Sequence, residues 1–336
     1  MKVVQSTDEN IWRQFVEKHP DGNIFHTPEM FEVFQRAEGF HPSFWGVTDK
    51  NNQLLALLLP VHITLMEGIL KNLTTRSVAF GSVLASPGST GGEALRLLLN
   101  TYKESSRSAS LFTELRNLEN LDWMQDVLIE CGFVFEEHLN YLINLDRSSD
   151  ELLNSLGKRT RKRIRRLQRN GEVVVKEINN FEQIGSFYDL LVKSYSFAQV
   201  PLADRSLFEA AYELLNNKGM VRFYLAWVGN DIVAGSAELL YKDTIYGWYG
   251  GVDRNFSTYS PNELLMWYIL NWGAENGFDV YDFGGAGKPD KEYGVRDFKA
   301  KFGGELVGFG RNTLVHSQTR LAISKFGYEI YRRLRY

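Results

Sequence analysis

One cysteine, Cys131, is all the chain has among 336 residues, so no disulfide can close within it. The six histidines are scattered, and no Cys/His cluster has the spacing of a zinc site, so no metal is expected. No apolar run approaches the roughly 20 residues that cross a bilayer. The longest, 54–61, contains Pro60. The first residues, 1–14, lack the uninterrupted apolar core of a secretory signal, which points to a cytoplasmic protein. No G-x-S-x-G elbow is present, and Cys131 falls in a helix of structural character, so no covalent nucleophile stands out. What remains is ordinary globular composition, 44% hydrophobic and 24% charged, which excludes a disordered or fibrous chain. At about 150 residues per domain the length predicts two domains.

Net charge is small, 38 Lys and Arg against 41 Asp and Glu, but it is unevenly placed. Between Lys158 and Arg169 lie eight basic residues (Lys158, Arg159, Arg161, Lys162, Arg163, Arg165, Arg166, Arg169) and no acidic one. Without them 30 cations face 41 anions. One short segment thus concentrates the positive charge of an otherwise acidic chain. Residues 316–336 form a second, weaker basic stretch.

Read against itself, the chain shows a duplication offset by about 170 to 180 residues. Strands at 44–47 and 54–62 around a turn at 49–52 parallel strands at 223–228 and 232–241 around Gly229-Asn-Asp231. Both pairs read as hairpins. A strand follows in each half (76–84; 244–252), then a helix with apolar residues at helical spacing (94–105; 261–276). A strand (110–115; 279–283), a short helix (123–133; 295–302) and a closing hairpin (134–145; 304–315) complete each half. Residues 30–34 and 207–211 match as helices ahead of the first hairpin. The pattern is α/β (α+β), with domains expected at 1–150 and 151–316 and a basic C-terminal helix at 317–336.

This order of elements resembles the acetyltransferase fold named GNAT used twice: two tandem GNAT-like domains, each a mixed, mostly antiparallel sheet flanked by helices. More specifically, the chain resembles the Fem family (FemABX-like) of non-ribosomal peptidyltransferases. Three stretches carry the likeness. Residues 156–171, Leu156-Gly-Lys-Arg-Thr-Arg-Lys-Arg-Ile-Arg-Arg-Leu-Gln-Arg-Asn-Gly171, look like the family's basic entry to its second domain. Tyr281-Asp-Phe-Gly-Gly285 looks like its late strand and glycine turn, and Gly294-Val-Arg-Asp-Phe-Lys-Ala-Lys-Phe-Gly-Gly304 like its closing helix. The helical hairpin that some members insert has no room here. The resemblance implies an acyltransferase (an aminoacyltransferase) acting in peptidoglycan and cell-wall biogenesis. It would take an amino acid from aminoacyl-tRNA and form an amide on an amine of a nucleotide- or lipid-linked cell-envelope precursor, with no cofactor beyond that co-substrate.

Such a transfer needs an amine close to the ester carbonyl and a group that stabilises the developing oxyanion. Lys299, in the family-like Phe-Lys-x-x-Phe-Gly-Gly stretch, is the first candidate for that role, with Lys301 behind it. Phe298 and Phe302, four apart, share a helix face, so Lys299 points elsewhere. The resemblance puts the donor side in the second domain, where Asp282 could hold the incoming ammonium or relay its proton. It puts the acceptor side in the first domain and the cleft between the two. There Glu114 and Arg116, two apart and on one strand face, are candidates, the arginine as a phosphate or carboxylate clamp. Trp248 and Tyr249, between glycines, read as substrate-contacting aromatics, one towards a cleft and one towards the core. His26 reads as a packing or capping histidine.

Phosphate chemistry divides the readings. Before the helix of the second half, Arg254 to Glu263 lacks the glycines of an acyl-CoA loop. Ser260-Pro-Asn-Glu263 reads instead as a capping box, which would place a carboxylate where a phosphate binds and so argues against acyl-CoA. Gly88-Ser-Thr-Gly-Gly92 in the first half could cradle phosphate. In the basic segment, 158, 162, 165, 166 and 169 share a helical face opposite Leu153, Leu156, Thr160, Ile164 and Leu167. Arg161, Lys162, Arg165 and Arg166 are therefore candidates for RNA or phosphate binding. The alternatives are an anionic membrane surface or a solvated face. In the C-terminal segment, Leu321, Phe326, Ile330 and Leu334 lie among Arg320, Lys325, Arg332, Arg333 and Arg335, which suits peripheral contact with the inner membrane face or docking on the protein itself. Two other functions stay open: an acyl-CoA-dependent N-acyltransferase of a surface-polysaccharide amino sugar, and a non-catalytic RNA- or membrane-surface binding protein.

Overall fold

A computed structural model describes the backbone of residues 1–64, 66 and 68–335, and all their side chains except those of 69 and 328–335. The chain forms two compact units: Met1–Glu137 together with Phe309–Tyr336, and His138–Gly308.

The first unit opens with β1 (Lys2–Val4) and α1 (Glu9–Lys18), whose first amides are capped by Asp8. Thr27 caps α2 (Pro28–Arg36), with Pro28 at the first helical position. Then follow β2 (Phe40–Pro42), β3 (Trp45–Thr48), β4 (Leu54–Leu58), β5 (Val61–Thr64), α3 (Lys71–Thr74), β6 (Thr75–Phe80), β7 (Val83–Ala85), α4 (Ser89–Ser106), β8 (Phe112–Arg116), α5 (Asp122–Glu130) and β9 (Val134–Glu136).

The second unit holds β10 (Asn140–Asn144), α6 (Ser149–Ser155), α7 (Lys158–Asn170), β11 (Val173–Glu177), α8 (Glu182–Ala198) and α9 (Arg205–Leu215). It continues with β12 (Val221–Val228), β13 (Asp231–Tyr241), β14 (Thr244–Val252), α10 (Pro261–Glu275), β15 (Val280–Gly285), α11 (Gly294–Ala300) and β16 (Glu305–Val307). The chain then returns to the first unit as β17 (Arg311–Val315) and α12 (Gln318–Arg335).

In the second unit one seven-stranded sheet runs β11-β12-β13-β14-β15-β10-β16. Its pairs are antiparallel except β14 with β15. That parallel contact covers only 244–246 against 280–282 before the strands part. The first unit has a four-stranded sheet, β1-β3-β4-β7, and a six-stranded one, β2-β5-β6-β8-β17-β9, in which β6 and β8 are again parallel. The expected mixed, mostly antiparallel sheets flanked by helices are present. Helix α10 is apolar nearly all round and accordingly buried, packing Leu265, Trp267, Ile269 and Leu270 into the core with Tyr281, Phe283 and Phe302.

The closing hairpins do not form. β9 pairs with β17, and β10 pairs with β15 and β16, so each half gives one strand of its closing segment to the other unit. The reason lies at the crossings. Residues 137–139, between β9 and β10, carry no turn that would fold one strand back on the other. Residues 138–150, read from sequence as part of the first domain, therefore belong to the second unit, and 309–316 belong to the first. The continuous stripe from Leu153 to Leu167 is also interrupted, because α6 ends at Ser155 and α7 starts afresh at Lys158. In the C-terminal helix Arg320 donates to the backbone carbonyls of Arg107 and Ser108, while Phe326 is exposed. The side chains of Ile330, Arg332, Arg333, Leu334 and Arg335 lie outside the described residues.

Candidate active site

Beyond residue 282, β15 turns through Gly284, at φ +67°, a region glycine adopts at no steric cost. Asp282 is buried there. Its carboxylate accepts from Asn140 Nδ2 at 2.7 Å and from the Gly284 N–H at 2.6 Å. Burial pushes its pKa up to about 6, against the opposing pull of these two donors and of the Lys299 charge. Part of what sequence suggested as chemistry is thus turn-capping, and Asn140 is a partner that only the exchanged β10 could supply.

Lys299, from α11, is also buried. Its ammonium donates to three consecutive carbonyls, Phe283 O at 2.6 Å, Gly284 O at 3.0 Å and Gly285 O at 2.8 Å. Burial lowers its pKa to about 8, with Asp282 pulling the other way. All three protons are engaged, so Nζ can meet an oxyanion only by exchanging a carbonyl for it. Phe302, one turn on, is fully buried against Phe283, as the shared face with Phe298 predicts.

Sequence reasoning passed over a second buried carboxylate, Glu238 on β13. Ser236 Oγ donates to its Oε1, and Tyr281 OH donates to its Oε2 at 3.0 Å. Burial raises its pKa to about 7 despite both donors. The signal was a single acid, two residues after Ser236, in a strand that is apolar apart from these two, residues 232–241. Opposite it, β14 carries a bulge between the 237–249 and 238–247 pairs, which leaves Trp248 out of register. Trp248 and Tyr249 do not divide between cleft and core. Both are half-buried, and both rings pack on Phe208 of α9.

The start of α10 also differs from expectation. Ser260 takes a left-handed backbone, φ +49°, and makes no side-chain cap, so the capping box is absent. Glu263 turns instead to Arg163 of α7 at 2.8 Å and Lys301 at 3.5 Å. Buried carboxylate and two flanking cations form a better electrostatic match than a neutral hydroxyl cap. Lys301 is thereby committed to an ion pair. On α7, Thr160, Ile164 and Leu167 are buried. Lys158, Arg159, Lys162, Arg165, Arg166 and Arg169 are exposed, whereas Arg161 bonds the Asn154 side chain and carbonyl.

In the first unit Glu114 accepts from Arg116 Nε at 2.7 Å and from Arg311 at 3.2 Å. Burial alone would raise its pKa, but the two arginines outweigh it and hold the carboxyl below its usual range. Arg116 stacks 5.1 Å over Phe80. The pair forms an internal ion cluster, and Arg311, on β17, is the member that sequence did not bring in. His26 is buried, accepting from the Asn23 N–H and facing Ser82 O, a capping role. Gly88 precedes α4 at φ +88° without a side-chain cap, and the following residues Ser89 and Thr90 are exposed. No group of three or more His, Cys, Asp or Glu suited to a metal occurs among the described residues.

With this geometry in hand, residues 154–299 match the Acetyltransferase (GNAT) domain family. No curated protein matches the sequence. Among solved structures the chain is similar to FemX, with a TM-score of 0.71 at 17% identity over 94% of this chain and 97% of that one. It is also similar to L-PGS from Bacillus licheniformis (TM-score 0.60, 12% identity, 96% and 97% covered) and to a tandem GNAT protein from the clavulanic acid biosynthesis pathway (0.60, 12%, 94% and 98%). Residues 154–299 thus match the GNAT domain family, within a chain that has the tandem GNAT fold throughout.

Proposed function

We propose that the protein is a Fem-like aminoacyltransferase that moves an amino acid from aminoacyl-tRNA to an amine of a cell-envelope precursor. The observation that carries this reading is the Lys299 cage at the end of β15: a buried ammonium on three carbonyls beside a buried carboxylate, in the GNAT domain of a FemX-like fold. In the reaction the acceptor nitrogen attacks the ester carbonyl and a C–N bond forms. Negative charge gathers on the carbonyl oxygen. Lys299 releases the carbonyl of Gly285, an exposed residue, and donates to that oxygen instead. Asp282 receives the proton lost by the amine, the C–O bond to the ribose breaks, and that proton passes on to the ribose oxygen, leaving Asp282 as it began. The exposed cations of α7, among them Lys162, Arg165 and Arg166, supply the charge to hold tRNA phosphates.

An acyl-CoA reading has its own support. Ser260 supplies no side-chain cap, and since Pro261 has no N–H and the Glu263 N–H donates to the Ser260 carbonyl at 3.2 Å, the Asn262 N–H is the first amide of α10 that could meet an anion such as a pyrophosphate. Labelled aminoacyl-tRNA and labelled acetyl-CoA, each offered with a panel of wall and sugar-amine precursors, separate the two. Transfer from tRNA that is lost in Lys299→Ala supports the aminoacyltransferase. Transfer from acetyl-CoA alone replaces it with an N-acyltransferase, and RNA binding without transfer replaces both with a binding protein.

A further inference from the structure

Four carboxylates are buried among the described residues: Glu29, Glu238, Glu263 and Asp282. Three have a cation at hand. Glu29 meets Arg13 at 2.6 Å, Glu263 meets Arg163 and Lys301, and Asp282 has Lys299. Glu238, 1% exposed, has none. Its partners are two neutral hydroxyls, Ser236 and Tyr281. A buried carboxylate is ordinarily paired or protonated, and Glu238 is poised between the two states, with a pKa near 7.

The surroundings are polar in a way the core does not require. Ser236 stands directly opposite Tyr224 of β12 in the ladder, and the Tyr224 hydroxyl, itself buried, has no hydrogen-bond partner. A buried hydroxyl without a partner is a net cost to the fold unless something arrives to meet it. On the same sheet face Gly250 pairs with Ser236 and is exposed. A Cβ there would meet only the Gly235 carbonyl at 3.6 Å and Ser236 Oγ at 3.9 Å, so the bare strand is the approach to Ser236. Gly247, opposite Glu238, is bare for another reason, since a Cβ would come within 2.7 Å of the Tyr281 hydroxyl. Facing Glu238 from neighbouring elements are Tyr281 of β15 and Tyr224 of β12, both phenols held well above their usual pKa by burial. Asp282 and Glu177 lie beyond these two tyrosines, and Arg222, opposite Glu238 in the ladder, pairs its guanidinium with Glu177 and stacks it on the Trp272 ring, with Nε buried and unpartnered.

We infer that Glu238, Ser236, Tyr224 and Tyr281 form a recognition site for a primary ammonium group, the α-ammonium of the amino acid carried by the donor. The site rests on the aminoacyl reading for the identity of its ligand, not for its chemistry. Ser236 rotates to free Oε1, the ammonium donates to Glu238 and to the orphaned Tyr224 oxygen, and Tyr281 keeps Oε2 in place. The charge that burial withholds from Glu238 is then balanced by the ligand.

Glycinamide is the probe, with glycolamide, its neutral hydroxyl counterpart, as control. The side-chain carboxyl carbon of Glu238 is followed by NMR over pH 5 to 9, assigned through Glu238→Gln. Glycinamide should lower the Glu238 midpoint by about 1 to 3 pH units, as a cation within contact does, while glycolamide leaves it unmoved. Tyr224→Phe should weaken the glycinamide response without altering the free midpoint. A midpoint indifferent to glycinamide, or shifted equally by glycolamide, overturns the site. Aminoacyl transfer by a protein whose Glu238 ignores glycinamide refutes this inference and leaves the function standing. A glycinamide-responsive Glu238 without transfer from tRNA does the reverse.

Discussion

Replacing Lys299 by methionine keeps the aliphatic stem and removes the ammonium. If Nζ meets the developing oxyanion, the loss matches that of a single oxyanion donor, about 10²–10³ in rate, or about 3–4 kcal/mol of transition-state stabilisation. Stability moves as well, by opposing amounts. Three carbonyls, those of Phe283, Gly284 and Gly285, lose their donor, at about 1–3 kcal/mol each where they stay dry. Against this, the folded protein no longer holds a buried ammonium whose pKa falls from 10.5 to about 8, a relief of roughly 3 kcal/mol at about 1.4 kcal/mol per pH unit. The carbonyls outweigh it, so the variant should unfold a few degrees earlier yet remain folded at 25 °C. The pH profile separates catalysis from scaffolding. A rate that needs the ammonium falls as pH rises through about 8. Lys299→Arg, with a charge that persists above pH 12, should lose that basic limb while recovering only part of the rate, because a planar fork does not fit three carbonyls arranged around a point charge. Single-turnover transfer from aminoacyl-tRNA measured from pH 6.5 to 9.5 supplies the test. A methionine variant within tenfold of the wild-type rate at pH 7 would refute the oxyanion role.

Glu238 sets a second pH dependence. Its rise from 4.5 to about 7 means that the folded state favours the neutral acid, so about 3 kcal/mol of stability present below pH 4.5 is lost by pH 7. Urea midpoints at pH 5 and 8 should diverge by more in the wild type than in Glu238→Gln, where Asp282 still titrates near 6; an equal divergence in both proteins contradicts the assignment. Reversing Lys162, Arg165 and Arg166 to glutamate should weaken RNA binding and flatten its salt dependence, by about 0.7 to 0.9 in log–log slope for each phosphate left without its cation. The thermal midpoint should stay within a degree or two, since these side chains are exposed, and an unchanged salt slope would assign α7 to the solvent. Gly304 sits at φ +93° with room for a Cβ only 2.5 Å from the Leu142 carbonyl. Gly304→Ala should therefore destabilise the β10–β16 pairing by several kcal/mol, and a neutral result in calorimetry would mean that this exchanged pair contributes little.

Periodicity and turn chemistry made most of the elements legible. Strands at 223–228, 232–241 and 244–252, and helices at 28–36, 89–106 and 261–275, fall within a few residues of where alternation and helical spacing put them. Pairing was another matter. Residues 134–145 look like a hairpin because two β-rich runs flank a polar link, and nothing local says that β10 will find β15 instead of β9. The site inherits that blindness. Asn140 and Arg311 sit on the two exchanged strands, far in sequence from the Asp282 and Glu114 that they touch. The Ser260–Glu263 spacing fits a capping box, but spacing cannot see Arg163 and Lys301, which draw Glu263 away. Lys299 was legible as a residue, and its three-carbonyl cage was not, because the cage is made of backbone.

The two units also show how one scaffold can give matched positions opposite properties. Glu114 is the third residue of β8 and Asp282 the third of β15; each strand is parallel to one neighbour, β6 or β14, and antiparallel to a strand entered by exchange, β17 or β10. Both carboxylates are largely buried, so desolvation presses both pKa values upward. What differs is the partner delivered by the exchanged strand and its neighbours. β17 brings Arg311, and β8 itself brings Arg116, so two full charges overcome burial and Glu114 stays a fixed anion. β10 brings Asn140, whose neutral amide cannot, and the nearby Lys299 spends its protons on carbonyls instead of on the carboxylate. Asp282 is left near 6, where a proton can be gained and lost at ordinary pH. Acid–base work is therefore open to the carboxylate of the second unit and closed to that of the first, and the exchanged strand decides which.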